Sequence, residues 1–374
     1  MMYSPFRHVG SVLKKNRIIH LTFFVTRRCN LRCPFCFYLQ SDSNPPSPPS
    51  ASGGSKVGMG GFSEELSLDE IRKISRSMGG LLWLAFSGGE IFLREDLVGI
   101  SRIFYENNKP AIMLFPTNGM LPELIRDRTE EILSHCKKSV IAVKLSLDGL
   151  NETHDKLRGK KGSFEKTMST YRLLEGLIER YPHFELGINT VFCSENQDMM
   201  DEIIDLVSSM KSIKTHTISM VRGDLTEEGF KKVDHQKYHA AIERLEKNLK
   251  GRTSRTYRFR GARIKAAQDI LQRRLIYRTS MEKRRLIPCY AGRLNLVLTE
   301  TGDVYPCEIL AETFGNIRDY DYDVGKIIKS EKAGRVIDSI ANNQCYCTHE
   351  CYFMTNILFN PKLYPELAKE YMQL

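Results

Sequence analysis

Ten cysteines stand in this chain of 374 residues, and eight of them fall into two groups whose spacing suits metal ligation. The first group, CNLRCPFC at residues 29–36, places Cys29, Cys33 and Cys36 as C-x3-C-x2-C. The second begins with Cys289 and Cys307 and ends in CYCTHEC, where Cys345, Cys347 and Cys351 stand as C-x-C-x3-C. Thiolates this close favour a soft tetrahedral site, either zinc or an iron–sulfur cluster. Structural zinc takes four ligands from the protein, and no fourth cysteine or histidine stands near residues 29–36. A cubane cluster held by three cysteines leaves one iron open to an outside ligand. Cys136 and Cys193 stand alone on apolar patterns and read as core residues. Such clustering argues for ligation in a reducing compartment over secreted disulfides.

The elements that must carry these residues alternate. Apolar, β-branched and aromatic runs at 18–26, 81–87, 111–117, 140–147, 184–192 and 216–221 predict buried strands. Between them the pattern turns helical. SLDEIRKISRSM opens on an S-x-x-E capping box at Ser67 and Glu70, and further helices are predicted at 121–136, 164–180, 199–210 and 236–250. Six strand–helix units imply an α/β chain with a parallel sheet, a partial (β/α)6 TIM-like barrel, whose chemistry sits at the C-terminal ends of its strands. Cys29 lies just past the end of the first strand, at that rim.

Motifs at successive strand ends agree with the cysteine loop. The second strand ends in Ser87-Gly88-Gly89-Glu90, the third in Thr117-Asn118-Gly119, and the fourth in Ser146-Leu147-Asp148-Gly149, followed by HDKLRG and GSF. With Phe35 just before the third cysteine, residues 20 to about 225 resemble the radical S-adenosylmethionine (SAM) superfamily. The resemblance implies a [4Fe–4S] cluster on Cys29, Cys33 and Cys36, with the amino and carboxylate groups of SAM on the open iron. It implies that Ser87, Gly88, Gly89 and Glu90 hold the methionine ammonium and that Phe35 packs on the adenine. Ser146 and Asp148 would bond the ribose hydroxyls, with Asn118 and Asn189 as further contacts. Arg158 would reach the SAM carboxylate or an anionic substrate. Flavodoxin or ferredoxin is the implied electron donor.

After about residue 290, RLNLVLTETGDVYPC reads as a hairpin. Cys289, Gly302 and Cys307, spaced C-x12-G-x4-C, resemble the SPASM and twitch extensions of the same superfamily. Five cysteines are available there, so the resemblance implies one auxiliary [4Fe–4S] cluster, with zinc as the alternative. Cys347 and Cys351 keep the family's C-x3-C spacing and the C-x-C at 345–347 departs from it, which leaves the choice between Cys345 and Cys347 open. Glu308, beside Cys307, is the expected general base for a substrate proton, with Tyr305 and Asp303 as weaker candidates. The expected domains are an N-terminal extension (1–17), the barrel (18–250), a basic linker helix (251–287) and a β-hairpin-plus-helix auxiliary cluster domain (288–374). Residues 41–61 interrupt the barrel with a Ser/Pro/Gly-rich insertion, a surface segment or a lid.

The net charge of +10 is uneven: residues 251–287 hold twelve Arg or Lys against Asp269 and Glu282. Apart from a solvated linker, this predicts attraction of an anionic small molecule, a sugar phosphate or a lipid-linked substrate through Arg273, Arg274 and Arg278. A peripheral membrane contact follows from the same charge, while nucleic acid ranks last, since no interleaved aromatics stand out. Only 28 residues precede Cys29 and 23 follow Cys351, too few for a leader-binding domain, which lowers the peptide-maturase reading without removing it. No apolar run reaches the roughly 18 residues of a spanning helix, and no secretion signal opens the chain, so a cytoplasmic enzyme is expected. The competing class is a non-catalytic iron–sulfur or zinc protein, which has no need of SGGE and SLDG at successive strand ends.

Overall fold

A computed structural model describes residues 2–39, 64–253, 257–342 and 345–374. The insertion expected at 41–61 lies outside the described residues. Six parallel strands follow the apolar runs: β1 (His20–Phe24), β2 (Trp83–Ser87), β3 (Ile112–Thr117), β4 (Val140–Ser146), β5 (Phe184–Phe192) and β6 (Thr215–Met220). Each pairs with its predecessor in parallel register, which requires a crossover behind the sheet. The crossovers carry α1 (Leu68–Ser77), α2 (Leu97–Asn108), α3 (Pro122–His135), α4 (Asn151–Arg158), α5 (Ser163–Glu175) and α6 (Met200–Ser209). After β6 come α7 (His235–Lys250) and α8 (Ala262–Glu282). Leu84, Phe86, Met113, Phe115, Ile141 and Val143 alternate outward into the helical layer and are essentially fully buried. Each contributes roughly 1.5–3 kcal/mol of apolar burial.

The sheet does not stop at the expected domain boundary. β7 (Asn295–Leu298) pairs in parallel with the free edge of β1, and β8 (Asp303–Tyr305) and β9 (Gly315–Asn316) continue antiparallel from it. The order is therefore β6-β5-β4-β3-β2-β1-β7-β8-β9. The expected hairpin is present as β7–β8, but β7 is buried along its whole length because it is an interior strand. Four helices complete the C-terminal part: α9 (Val324–Ile328), α10 (Glu331–Asn342), α11 (Glu350–Leu358) and α12 (Tyr364–Met372).

The basic segment behaves differently from the linker expected of it. α8 packs along α7, α11 and α12, with Ala267, Leu271 and Leu275 buried. Arg274 bridges Glu246 and Glu370, Arg278 pairs with Glu282, and Arg273 donates to the His216 carbonyl. The surplus counted along the segment is thus partly offset by acids from elsewhere in the chain, and an anionic partner recruited through these arginines loses its support. Among the described residues no helix is long and apolar enough to cross a membrane.

The capping box on α1 also ties the barrel to the C-terminal part. The Glu70 carboxylate accepts from the Ser67 backbone N–H (2.8 Å) and from Arg318 Nε (2.7 Å) just beyond β9. Burial would raise the Glu70 pKa, but the hydrogen bonds from Arg318 and Ser67 outweigh it and bring the carboxyl down to about 2. A carboxylate with a depressed pKa stabilises the fold above its unfolded value and loses that contribution as pH falls toward the folded value. Glu70→Ala should therefore lower stability by about 2 kcal/mol at neutral pH, counting the cap and the charged hydrogen bond. In urea titrations the gap from wild type should close as pH falls from about 4.5 toward 2; a gap independent of pH would contradict this account.

Candidate active site

The cysteine loop leaves β1 and folds directly over the turn after β2. The Gly89 N–H donates to the Thr26 carbonyl and the Glu90 N–H to the Arg28 carbonyl, both at 2.8 Å. A Cβ on Gly88 would collide with the Thr26 carbonyl oxygen, and one on Gly89 with that of Arg28. Gly88 also has φ +130°, a conformation that favours glycine. The two glycines are needed first for the approach of the cysteine loop itself. On its flank, Thr26 Oγ1 donates to Glu65 (2.5 Å), and Arg94 joins Glu65, Asp96 and the Val25 carbonyl. On its far end, Tyr38 donates to Glu300, in the β7–β8 turn.

Cys29, Cys33 and Cys36 line one cavity of about 230 Å³ together with Ser87–Glu90, Asn118, Ser146 and Asn189. Burial pushes the Cys29 thiol up to about 12, and the neighbouring Cys33 and Cys36 add to the rise. Thiolates gathered this closely need compensating positive charge, which a metal centre supplies. Asn118 reaches the loop through Asn30 Oδ1 (2.8 Å) and lies 3.9 Å from Cys29 Sγ. Glu90 is buried and accepts from Asn118 N–H (2.8 Å), Thr117 Oγ1 (2.9 Å) and Phe92 N–H (3.2 Å). Burial lifts its pKa to about 7 in spite of those bonds. A carboxylate has about four acceptor positions, so one remains for a further donor. Phe35 and Arg158 also line the cavity, with the guanidinium 5.6 Å from the ring centroid and Nη1 3.9 Å from Cys33 Sγ.

Asp148 departs from its expected place. It is fully buried, absent from the cavity wall, and committed to the Val191 N–H (2.7 Å) and an ion pair with Arg158. Continued alternation would return a residue two positions after Ser146 to the ligand side, but β4 ends at Ser146 and the turn that follows carries Asp148 to the Val191 N–H and Arg158 instead. Asp148 therefore acts through Arg158, which it holds against the cysteine loop.

The second group of thiols resolves differently from its spacing. Cys289, Cys307, Cys345 and Cys347 line one apolar cavity of about 90 Å³. Burial pushes Cys347 up to about 12, with Cys289 and Cys307 as the charges next to it. Cys351 is turned away, into the barrel lumen, where it lies with Glu308 and His349, their ligating atoms all within 4.8 Å of one another. Cys347 stands in non-helical backbone before α11 and Cys351 in its first turn, so the i, i+4 relation that brings two side chains to one helix face does not apply to them. Both members of the C-x-C pair therefore face the same cavity, and the family-like C-x3-C spacing does not mark a shared one.

Glu308 is buried, and its Oε2 meets His349 Nε2 at 2.6 Å. His349 Nδ1 accepts the Cys351 backbone N–H (3.2 Å), so Nε2 carries the proton and donates to Glu308. Burial alone would raise the Glu308 pKa; His349 and Arg222 outweigh it and hold the carboxyl below its usual range. Arg222 in turn pairs with Glu350 at 3.0 Å. Sequence reading missed His349 and Arg222. His349 had a signal, standing inside the cysteine motif as CTHEC; Arg222 had none. The lumen, about 260 Å³, shares Ser87, Pro116, Ser146, Asn189, Ser219 and Arg222 with the cysteine-loop cavity, so the two spaces adjoin.

With this geometry in hand, residues 23–207 match the family model of the Radical SAM superfamily. The chain belongs to the radical SAM superfamily. It is 28% identical over 309 residues to the antilisterial bacteriocin subtilosin biosynthesis protein AlbA of Bacillus subtilis, covering 80% of this chain and 57% of AlbA. It is 25% identical to the AdoMet-dependent heme synthase of Methanosarcina barkeri, over 80% of this chain and 79% of that protein. In fold it is similar to Streptococcus suis SuiB bound to S-adenosylmethionine (TM-score 0.59, 17% identity, 89% of this chain, 71% of SuiB). It is likewise similar to anSMEcpe with bound AdoMet (TM-score 0.58, 18% identity, 95% of this chain, all of that one). The radical SAM enzyme uses SAM and a [4Fe–4S] cluster.

Two predictions follow from the loop and the thiols. Gly89→Ala should displace the cysteine loop and drop the reconstituted protein from about eight irons to about four; a full count would mean that the turn tolerates the methyl group. Cys345→Ala or Cys347→Ala should each remove about four irons, whereas Cys351→Ala should keep about eight. Loss on Cys351→Ala with retention on Cys345→Ala would reverse the assignment.

Proposed function

We propose that this radical SAM enzyme oxidises a substrate held in the barrel lumen by two electrons. Bound at the cysteine loop, the reduced cluster and SAM supply a 5′-deoxyadenosyl radical that takes one hydrogen atom from the substrate. Cys29, Cys33 and Cys36 hold that cluster. Ser87, Gly88, Gly89 and Glu90 receive the methionine end, Phe35 the adenine, and Ser146, Asn118 and Asn189 the remaining polar groups, while Arg158 neutralises charge beside Cys33. Cys289, Cys307, Cys345 and Cys347 hold the auxiliary cluster. Glu308 accepts the substrate proton, and a cluster held by those four cysteines would be the acceptor for the second electron, so that one hydrogen atom, one proton and one electron leave in all. A flavodoxin or ferredoxin supplies the first electron.

The observation that carries this reading is the wall that the cysteine-loop cavity shares with the lumen, together with the Glu308–His349 pair on the lumen wall. Because its pKa is lowered, Glu308 is ionised throughout the neutral range and only protonates below the ordinary carboxylate range. Its step should thus be insensitive to pH near neutrality. His349 fixes which oxygen is occupied, leaving the other to face substrate.

A second reading, maturation of a peptide, is favoured by the relatives. AlbA is named for subtilosin biosynthesis, and SkfB of Bacillus subtilis, 28% identical over 61% of this chain, is a sporulation killing factor maturation protein. The chain spans 57% of AlbA and 48% of SkfB, so their whole activities carry over only as proposals.

Reduced enzyme incubated with SAM and fractions of deuterated cells separates the readings. Deuterium should enter 5′-deoxyadenosine from the fraction that holds the substrate: the small-molecule fraction for the first reading, the peptide fraction for the second. No transfer from any fraction would contradict hydrogen abstraction in the lumen. With the active fraction, Glu308→Gln should lower product per 5′-deoxyadenosine by about 10²-fold or more; an unchanged ratio would remove Glu308 from the role of base.

A further inference from the structure

On β4 the residues Ala142, Lys144 and Ser146 alternate into the lumen. Ser146 belongs to the rim shared with the cysteine-loop cavity. Lys144 stands two positions deeper, about 7 Å below it at strand spacing. Its ammonium crosses a neighbouring strand: Lys144 is in register with Gly187 on β5, and Gly187 with Thr215 on β6. Nζ donates to Thr215 Oγ1 (2.5 Å) and Thr217 Oγ1 (3.1 Å). A Cβ at Gly187 would come within 2.5 Å of Thr215 Oγ1 and 2.9 Å of Nζ, so the glycine is the trough in which the lysine lies.

Lysine inside an apolar strand is costly unless its charge is matched. The other cations of the lumen are matched: Lys265 pairs with Asp269, and Arg222 with Glu350. Among the described residues Lys144 has no carboxylate within ion-pair distance. The nearby charges are held in part by other partners: Asp269 also accepts from Tyr257 (2.9 Å), Arg273 donates to the His216 carbonyl, and Glu185 accepts the Arg258 N–H at Oε1 (2.7 Å) while its buried Oε2 has no hydrogen-bond partner. Burial, the largest influence, pulls the Lys144 pKa down to about 7; Asp269 and Glu185 raise it, and Lys265 and Arg273 lower it further. An ammonium has three N–H donors, two of them used, and each threonine that accepts from Nζ keeps its own O–H to give. The floor of the lumen therefore offers one N–H and two O–H donors around an uncompensated positive charge. That set matches the two oxygens of a carboxylate.

We propose that Lys144, Thr215 and Thr217 form a carboxylate-anchoring subsite, and that the substrate carries a carboxylate that reaches the level two strand positions below Ser146. The inference rests on the lumen being the substrate chamber. It replaces the basic helix by a lumen residue as the determinant of anionic recognition. The carboxylate belongs either to a small acid or to an acidic side chain of a peptide, and both present the same chemistry to the floor.

The test is binding without turnover, on reconstituted, unreduced holoenzyme with SAM. Hexanoate is compared with hexanamide, and acetyl-Ala-Glu-Ala-amide with its Gln counterpart, by equilibrium titration. Hexanoate or the Glu peptide should bind about tenfold or more tightly than its neutral partner, and the pair showing the larger difference identifies the source. The advantage should shrink as pH rises through about 7, because binding requires the protonated amine. Lys144→Met should abolish it. Should that variant fail to fold, Thr217→Val, which removes one donor, should at least halve the advantage. Acids that bind no more tightly than their amides, or a preference that survives both substitutions, would overturn the subsite. Failure here is distinct from failure of the proposed oxidation, which is read independently from deuterium transfer by the wild type.

Discussion

Two stretches of backbone touch at the heart of this molecule, and side chains are excluded from the contact. The cysteine loop leaving β1 hydrogen-bonds through the Thr26 and Arg28 carbonyls to the Gly89 and Glu90 amides, and neither Gly88 nor Gly89 has room for a Cβ. That contact fixes where the three thiols stand relative to the end of β2. It also orients Glu90, whose carboxylate then pins the end of β3 through Thr117 and Asn118. A single close approach thus aligns three consecutive strand ends around one cavity. The ion pairs around Glu65 and Arg94 hold the loop from one side, and Glu300 holds it from the C-terminal part.

The continuous sheet explains how the second thiol group reaches the same chamber. Because β7 adds to β1 in parallel register, the segment that follows β8 emerges beside the barrel mouth and not on a separate body. Cys307 and Glu308 are adjacent in sequence but serve different spaces: the thiol faces an apolar cavity and the carboxylate faces the lumen. A thiol of the second group and a lumen carboxylate are then adjacent residues, on the two sides of a chain only one backbone thick. Buried ionisable groups without a role would be costly in such a chamber; Glu308, Arg222 and Lys265 are paired there, whereas Lys144 and Glu185 have no ion-pair partner among the described residues.

Much of the frame was legible in the residues. All six barrel strands coincide with apolar runs to within two residues or so, since strands buried on both faces leave continuous hydrophobic stretches. The capping box at Ser67 marks the start of α1 correctly. α2 was not anticipated: it begins after Asp96 without a side-chain cap, and its pattern is apolar on most sides because it is largely buried. The four-thiol set was legible as composition and not as pairing. Local spacing favoured Cys347 with Cys351, but the onset of α11 sends them apart. Charge along 251–287 misled for a similar reason, because Glu246 and Glu370 lie outside the window in which it was counted. Lys144 was visible as a lysine in VIAVKLSL, and only the register with Gly187 and Thr215 gives it meaning.

The central claim is that three thiols on a glycine-seated loop present an open iron to SAM. Its most direct test is anaerobic: the reconstituted protein is reduced with dithionite, given SAM, and assayed for 5′-deoxyadenosine and methionine, alongside a Cys29/Cys33/Cys36→Ala variant. The account predicts cleavage by the wild type with about eight irons, and none by the variant, which keeps about four. A wild type with both clusters full that leaves SAM intact, or a variant that cleaves it equally well, would contradict the account.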